Sequence, residues 1–172
     1  LDMDGTMFDT EALGLATWER ASQTLKCKSG KEIIGKCMGL TPTYIEKLFY
    51  DTYGKDFPYD DFMKIARGYK AEYIQTHGVP IKPGLYELLS YLKESGYKIA
   101  VATSTPQERA MKNLESAKVT EYFDQIICGD MLEKSKPDPD IYLKAAAALG
   151  VDPKDCVALE DSPNGITAAS RA

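Results

Sequence analysis

Lys98-Ile99-Ala100-Val101-Ala102-Thr103-Ser104-Thr105-Pro106-Gln107-Glu108 holds the transition that decides the fold. Its apolar first half favours a buried strand, and Pro106 opens a pattern that reads as a helix as far as Ala117. Thr105-Pro106-Gln107-Glu108 has the spacing of a capping box, in which Thr105 accepts from a backbone N–H and Glu108 reaches back. The helix therefore begins just after Thr103 and Ser104, and both fall at the carboxyl end of the strand.

The same alternation recurs on either side. Gln125-Ile126-Ile127-Cys128 and Cys156-Val157-Ala158-Leu159 read as further strands, and a fourth enters at Leu1. Helices are expected from Pro83 to Ser95, closed by Gly96, and from Pro139 to Leu149, closed by Gly150. Strands alternating with helices imply βαβ units and a parallel sheet. From about Asp9 to His77 no strand run occurs, whereas Ala12, Leu15, Ala16 and Trp18, and again Tyr44, Ile45, Leu48 and Phe49, recur at helical spacing. The expected fold is α/β: a Rossmann-like parallel-sheet core of residues 1–9 and 80–172, with an inserted α-helical cap domain of residues 10–79. Trp18 is expected in the cap core, with most of Tyr44, Tyr50, Tyr53, Tyr69 and Tyr73. The chain starts directly before an acidic motif and stops inside an apparent helix, so it reads as clipped at both ends.

Composition narrows the function classes. With 172 residues and 44% hydrophobic content, one good core and a small appended domain fit. Lys and Arg number 21 against 26 Asp and Glu, a net charge of -5 that argues against a nucleic-acid partner. The longest apolar runs, such as Ala145 to Leu149, are far too short to span a bilayer. Cys27, Cys37, Cys128 and Cys156 lack C-x-x-C spacing and follow no signal segment. They are expected as reduced, buried thiols in a cytoplasmic protein, which is expected to be a monomer. His77, the single histidine, reads as a surface residue.

In an open parallel sheet, ligands bind beyond the carboxyl ends of the strands. The first strand delivers Asp2-Met3-Asp4-Gly5-Thr6 there, the second Thr103-Ser104, the third Gly129-Asp130 and then Lys136, and the fourth Glu160-Asp161. Asp2 and Asp4, two apart on extended backbone, aim their carboxylates to one side. Mutual repulsion suits one to carry a proton while the other stays ionised. With Glu160 and Asp161 added, the cluster would reject a phosphate unless a hard cation intervened, and oxygen-only ligation points to Mg²⁺. Thr103, Lys136 and the amides of the helix opening at Thr105 would then meet the phosphoryl oxygens.

These residues resemble the haloacid dehalogenase superfamily, in its branch of phosphatases and β-phosphoglucomutases with a helical cap. The resemblance rests on Asp2-x-Asp4-Gly5-Thr6, on the run ending in Thr103-Ser104, on Ser135-Lys136-Pro137-Asp138-Pro139 and on Leu159-Glu160-Asp161-Ser162-Pro163-Asn164-Gly165, in family order along the whole chain. It implies Asp2 as nucleophile and Asp4 as general acid/base. It implies Thr103, Ser104 and Lys136 around the phosphate, and Mg²⁺ held by Asp2, the Asp4 carbonyl and Asp161, with Glu160 direct or through water.

The substrate expected is a small phosphorylated metabolite, a sugar phosphate above all, and the reaction hydrolysis. Gly14 stands where β-phosphoglucomutases resemble one another in a catalytic His, and Gly39-Leu40-Thr41-Pro42-Thr43 offers no Arg for a second phosphate. Thr6 matches the sugar phosphatases of the family. A sugar phosphomutase is the alternative enzyme, and a receiver-like signalling module the non-enzymatic one. Arg67 and Lys70 read as a solvated helix face. Gly30 to Cys37 is nearly a phosphate-binding loop, but Cys37 replaces the hydroxyl that would hold the metal and no strand precedes it.

Overall fold

The computed structural model describes residues 1–28, 33, 36–37 and 42–172. The chain divides into two compact units, one of residues 1–9 and 78–172 and one of residues 10–77. Gly78 and Val79 thus go with the first unit, where Val79 is buried in the core.

The first unit is α/β. Strands β1 (Ala100–Thr103) and β2 (Gln125–Cys128) pair in parallel, with Ala100 opposite Gln125 and Thr103 opposite Cys128. Around them lie α4 (Leu85–Glu94), α5 (Gln107–Ser116), α6 (Asp140–Leu149) and α7 (Pro163–Arg171); α1 to α3 belong to the other unit. Successive strand residues face opposite ways. Val101 and Cys128 accordingly join Leu85, Leu89, Ala110 and Leu114 of α4 and α5, while Ala100, Ala102 and Ile127 join Ile141 and Ala145 of α6. Burial on both faces explains why these strands are continuous apolar runs. Each fully buried Val or Leu contributes on the order of 2 kcal/mol, so this sandwich is what holds the strand ends in place.

Of the two further strands expected, neither forms a regular ladder. Leu1 lies along β1, its amino group donating to Ala100 O at 2.7 Å and its carbonyl accepting from Ala102 N at 2.9 Å. Asp2 N donates to Leu159 O at 2.9 Å, which brings the 156–159 segment alongside. Cys156 and Val157 are exposed, Val157 at 85%, so this run is not a buried strand and Cys156 is not a buried thiol. An apolar run is buried only where neighbours cover it, and the run itself does not say whether they do. Cys37 and Cys128 are buried as expected, and all four cysteines are free.

The helix boundaries follow their punctuation. Gly84 and Gly96 flank α4 and Gly150 ends α6, all at positive φ. The capping box at Thr105 does not form. Pro106 occupies the N-cap with no side-chain bond, Glu108 pairs with Lys112 at 2.7 Å, and Asp130 at the end of β2 accepts from Gln107 N at 3.0 and 3.1 Å. A carboxylate from the next strand outcompetes a local hydroxyl because it brings charge as well as an acceptor.

The second unit is helical: α1 (Thr10–Leu25), α2 (Pro42–Tyr53) and α3 (Tyr59–His77). Its core gathers Phe49, Phe57, Tyr59, Phe62 and Ala66 with Trp18 packed against them, Trp18 meeting Phe49 edge-on at 5.2 Å. Trp18 is therefore core, as its sequence position predicts. The buried face of α1 is a different one from that expected: Leu13, Thr17 and Ala21 are buried, whereas Ala12, Leu15 and Ala16 are exposed. Tyr44 and Tyr73 are exposed too, while Tyr50 and Tyr53 pack on the core. Arg67 is exposed, Lys70 donates to Thr10 O at 3.3 Å, and His77 stacks on Tyr73 at the exposed end of α3. Most of the Gly30 to Cys37 run and all of Gly39 to Thr41 lie outside the described residues.

Candidate active site

The acidic motif after Leu1 runs into a tight turn, in which Gly5 N donates to Phe8 O at 2.8 Å and Met7 N to Met3 O at 3.0 Å. Gly5 has φ +87, and a Cβ built there would collide with the Asp161 carboxylate. Both facts require glycine. Beside it Thr6 Oγ1 donates to Asp161 Oδ1 at 3.1 Å, so the turn holds a carboxylate that arrives from the far end of the sequence.

Lys136 ties three segments together. Its ammonium donates to Asp2 Oδ1 at 2.6 Å, to Ala102 O at 3.0 Å and to Glu160 Oε1 at 2.5 Å. The side chains of Lys136 and Glu160 are only 6% and 3% exposed, so this is a buried network and every lone pair needs a partner. Glu160 finds them. Tyr142 Oη donates to Oε1 at 2.9 Å, while Ser162 N, Ser162 Oγ and Asp161 N donate to Oε2 at 3.0, 3.0 and 3.1 Å. Gly165, in the first turn of α7, makes room: a Cβ there would overlap the Glu160 carboxylate.

Charge in this network is divided unevenly. Burial pushes the Asp2 carboxyl up to about 7; Lys136 pulls the other way, and Glu160 and Asp4 add to the rise. Burial also works against the Glu160 charge, yet Lys136, the Ser162 amide and Tyr142 together hold that carboxyl below its ordinary value. Burial and then Glu160 drive the Tyr142 phenol far up, so it remains a donor.

Asp2, Glu160 and Asp161 each offer an oxygen, all within 4.8 Å of one another. Three clustered carboxylates with a turn shaped to hold one of them fit a hard divalent cation. Thr103, at the end of β1, is buried, and its Oγ1 accepts from Thr105 N at 3.1 Å. Ser104 is exposed, with its backbone packed against Gly129 so closely that a Cβ on Gly129 would clash. Asp4 stands slightly apart from the three carboxylates: Thr105 Oγ1 donates to its Oδ2 at 2.6 Å. Ser162 both caps α7 through Gly165 N at 3.0 Å and supports Glu160.

The structure thus brings Asp2, Lys136, Glu160 and Asp161 together, with Asp4 and Thr103 on neighbouring backbone. Sequence reading missed Tyr142 and the part played by the Thr105 side chain. Tyr142 follows Ile141, which faces the core, and Pro139, which opens the helix, so its position one turn from the Lys136 loop was a usable signal.

Comparison with known proteins places the chain in a family. The family description "Haloacid dehalogenase-like hydrolase" matches residues 1–172. A phosphorylated carbohydrates phosphatase of Thermotoga maritima is 30% identical over 171 residues, covering 99% of this chain and 79% of its own. Hexitol phosphatase B of Escherichia coli is 32% identical over 176 residues, covering 99% and 78%. A Thermotoga maritima crystal structure bearing the β-phosphoglucomutase name superposes with a TM-score of 0.82 at 30% identity, over 99% of this chain and 78% of the other. From the motif turn, the lysine bridge and these likenesses together, the chain belongs to the haloacid dehalogenase-like hydrolases.

Proposed function

We propose that this protein is a Mg²⁺-dependent phosphatase of a small phosphorylated metabolite, most simply a sugar phosphate, acting through a phosphoaspartate on Asp2. The observation that carries the reading is the Lys136 ammonium shared between Asp2 and Glu160, with an Asp161 oxygen within 4.8 Å of both carboxylates. A structural ion pair would need one carboxylate; a third beside it is useful for holding a cation. The named phosphatases among the relatives support the choice of substrate.

In this reading Asp2 attacks the phosphorus and the bond to the leaving oxygen breaks, the oxygen taking a proton from Asp4. Water then attacks the phosphoaspartate while Asp4 takes the proton back, releasing phosphate and restoring the Asp2 carboxylate. Lys136 keeps the Asp2 carboxylate oriented, and Thr103, Ser104 and the first amides of α5 are offered to the phosphoryl oxygens. One of those amides, Gln107 N, is already committed to Asp130. Mg²⁺, bound through Asp2, the Asp4 carbonyl and Asp161 with Glu160 beside them, would neutralise the repulsion between the acidic cluster and the phosphate dianion and favour ionised Asp2.

Residues 10–77 would serve as the cap that selects the substrate, with Gly14 on α1 favouring hydrolysis over mutase chemistry. Free thiols fit a reducing cytoplasm, and a monomer is enough for the reaction. Among the described residues no helix is long and apolar enough to cross a membrane. A panel of phosphorylated sugars assayed with Mg²⁺ tests the reading: phosphate release abolished by chelator and by Asp2→Asn is expected, and retained turnover in Asp2→Asn would overturn it. Isomerisation of a hexose phosphate outrunning phosphate release would establish the mutase instead.

A further inference from the structure

Thr105 is 5% exposed although Ser104 and Pro106 on either side of it are exposed. A buried hydroxyl requires a partner, and no helix amide donates to this one: Pro106 is the N-cap, and Asp130 accepts from Gln107 N. Thr105 Oγ1 turns instead to the site, donating to Asp4 Oδ2 at 2.6 Å and accepting from Arg109 Nη2 at 3.3 Å. Arg109 stands one turn further along, at the i+4 position from Thr105, which brings its guanidinium back over the hydroxyl.

The order of these bonds carries information. A guanidinium has no acceptor, so Arg109 can only donate and Thr105 Oγ1 can only accept from it. The single hydroxyl proton is therefore directed to Asp4. The bond to Oδ2 persists whether Asp4 is a carboxylate or a carboxylic acid, because a carbonyl oxygen accepts as well.

We infer that Thr105, with its hydroxyl oriented by Arg109, is a positioning residue that holds the Asp4 carboxyl through Oδ2 in the orientation from which it exchanges a proton with the substrate. The inference rests on the assignment of Asp2 and Asp4 proposed above. In the first half-reaction the Asp2–phosphorus bond forms, the phosphorus–leaving-oxygen bond breaks, and its electron pair takes the Asp4 proton to give the free alcohol. In the second, a water proton returns to Asp4 as the phosphoaspartate bond breaks, so the hydroxyl of Thr105 is unchanged throughout.

Leaving-group dependence separates this role from a structural one. An alkoxide needs its proton in the transition state, whereas p-nitrophenolate leaves without one, and kcat/KM reports the steps up to formation of the phosphoaspartate. With Mg²⁺ present, Thr105→Val is expected to lower kcat/KM for an alkyl phosphate at least about tenfold more than for p-nitrophenyl phosphate, a fraction of the 10²- to 10⁴-fold that general acid catalysis supplies. Thr105→Ser, which keeps the hydroxyl, is expected to restore the wild-type ratio, and Arg109→Leu to fall between. Equal losses on both substrates in Thr105→Val would overturn the inference and leave Thr105 a packing residue. Asp4→Asn distinguishes the two levels. If it discriminates between the substrates while Thr105→Val does not, the positioning role alone fails. If Asp4→Asn itself lowers both equally, the assignment of Asp4 fails and the inference with it.

Discussion

At Gly165 an alanine would ordinarily stabilise a helix by about 1 kcal/mol. Here the sign reverses, because the new methyl would overlap the Glu160 carboxylate, whose side chain is only 3% exposed and receives bonds from Lys136, Tyr142 and Ser162. Displacing one member of a buried ion pair costs on the order of 3 kcal/mol, so Gly165→Ala should lower the denaturant midpoint and weaken divalent-cation binding together. Unchanged stability would mean that Glu160 has room the structure does not give it. Asp2 makes a second prediction. Its carboxyl is raised to about 7 by burial, so below that pH the metal-free protein holds a proton there that a bound cation must expel. Mg²⁺ affinity should therefore fall about tenfold for each unit of pH below 7 and level off above it, as calorimetric titration would show. Affinity independent of pH across that window would contradict the assignment of Asp2 as a ligand.

Elements differ in how far their sequence announced them. β1 and β2 were legible because both faces are covered, which forces continuous apolar runs, and α4 and α6 because glycines at positive φ end or precede them. The segment 156–159 carried the same signal as β1 and lies exposed, since local pattern cannot report whether a neighbour arrives. On α1 a row of apolar side chains pointed to Ala12, Leu15 and Ala16, yet the helix buries Thr17 between Leu13 and Ala21. A threonine can take a buried place because Oγ1 donates to Gly14 O within the same helix at 2.8 Å, a bond that hydropathy does not register. The start of α5 is the sharpest case: the local cap at Thr105 gives way to Asp130, a partner no sequence window spans. Asp130→Ala should destabilise the protein by about 1 kcal/mol in equilibrium unfolding, with Asp130→Asn recovering most of it. No loss in either variant would return capping to Thr105.

Over the whole molecule, the site depends on segments that lie apart in the sequence: the motif at Asp2, the loop at Lys136 and the turn at Glu160 and Asp161. Their chemistry was legible because each follows a strand or an apolar run, and the edge beyond strand ends is where a parallel sheet leaves polar groups unpaired. Their mutual bonds were not, since nothing local ties Lys136 to Glu160 or Thr6 to Asp161. Residues 10–77 have their own aromatic core, and the acidic cluster and Lys136 all lie in the other unit, of residues 1–9 and 78–172. The most direct test is to quench the enzyme with borohydride during turnover of a sugar phosphate and map the reduced residue by mass spectrometry. Reduction at Asp2 in the wild type, absent without substrate and absent in Asp2→Asn, is the predicted result; label at another residue, or turnover with no label at all, would contradict a phosphoaspartate on Asp2.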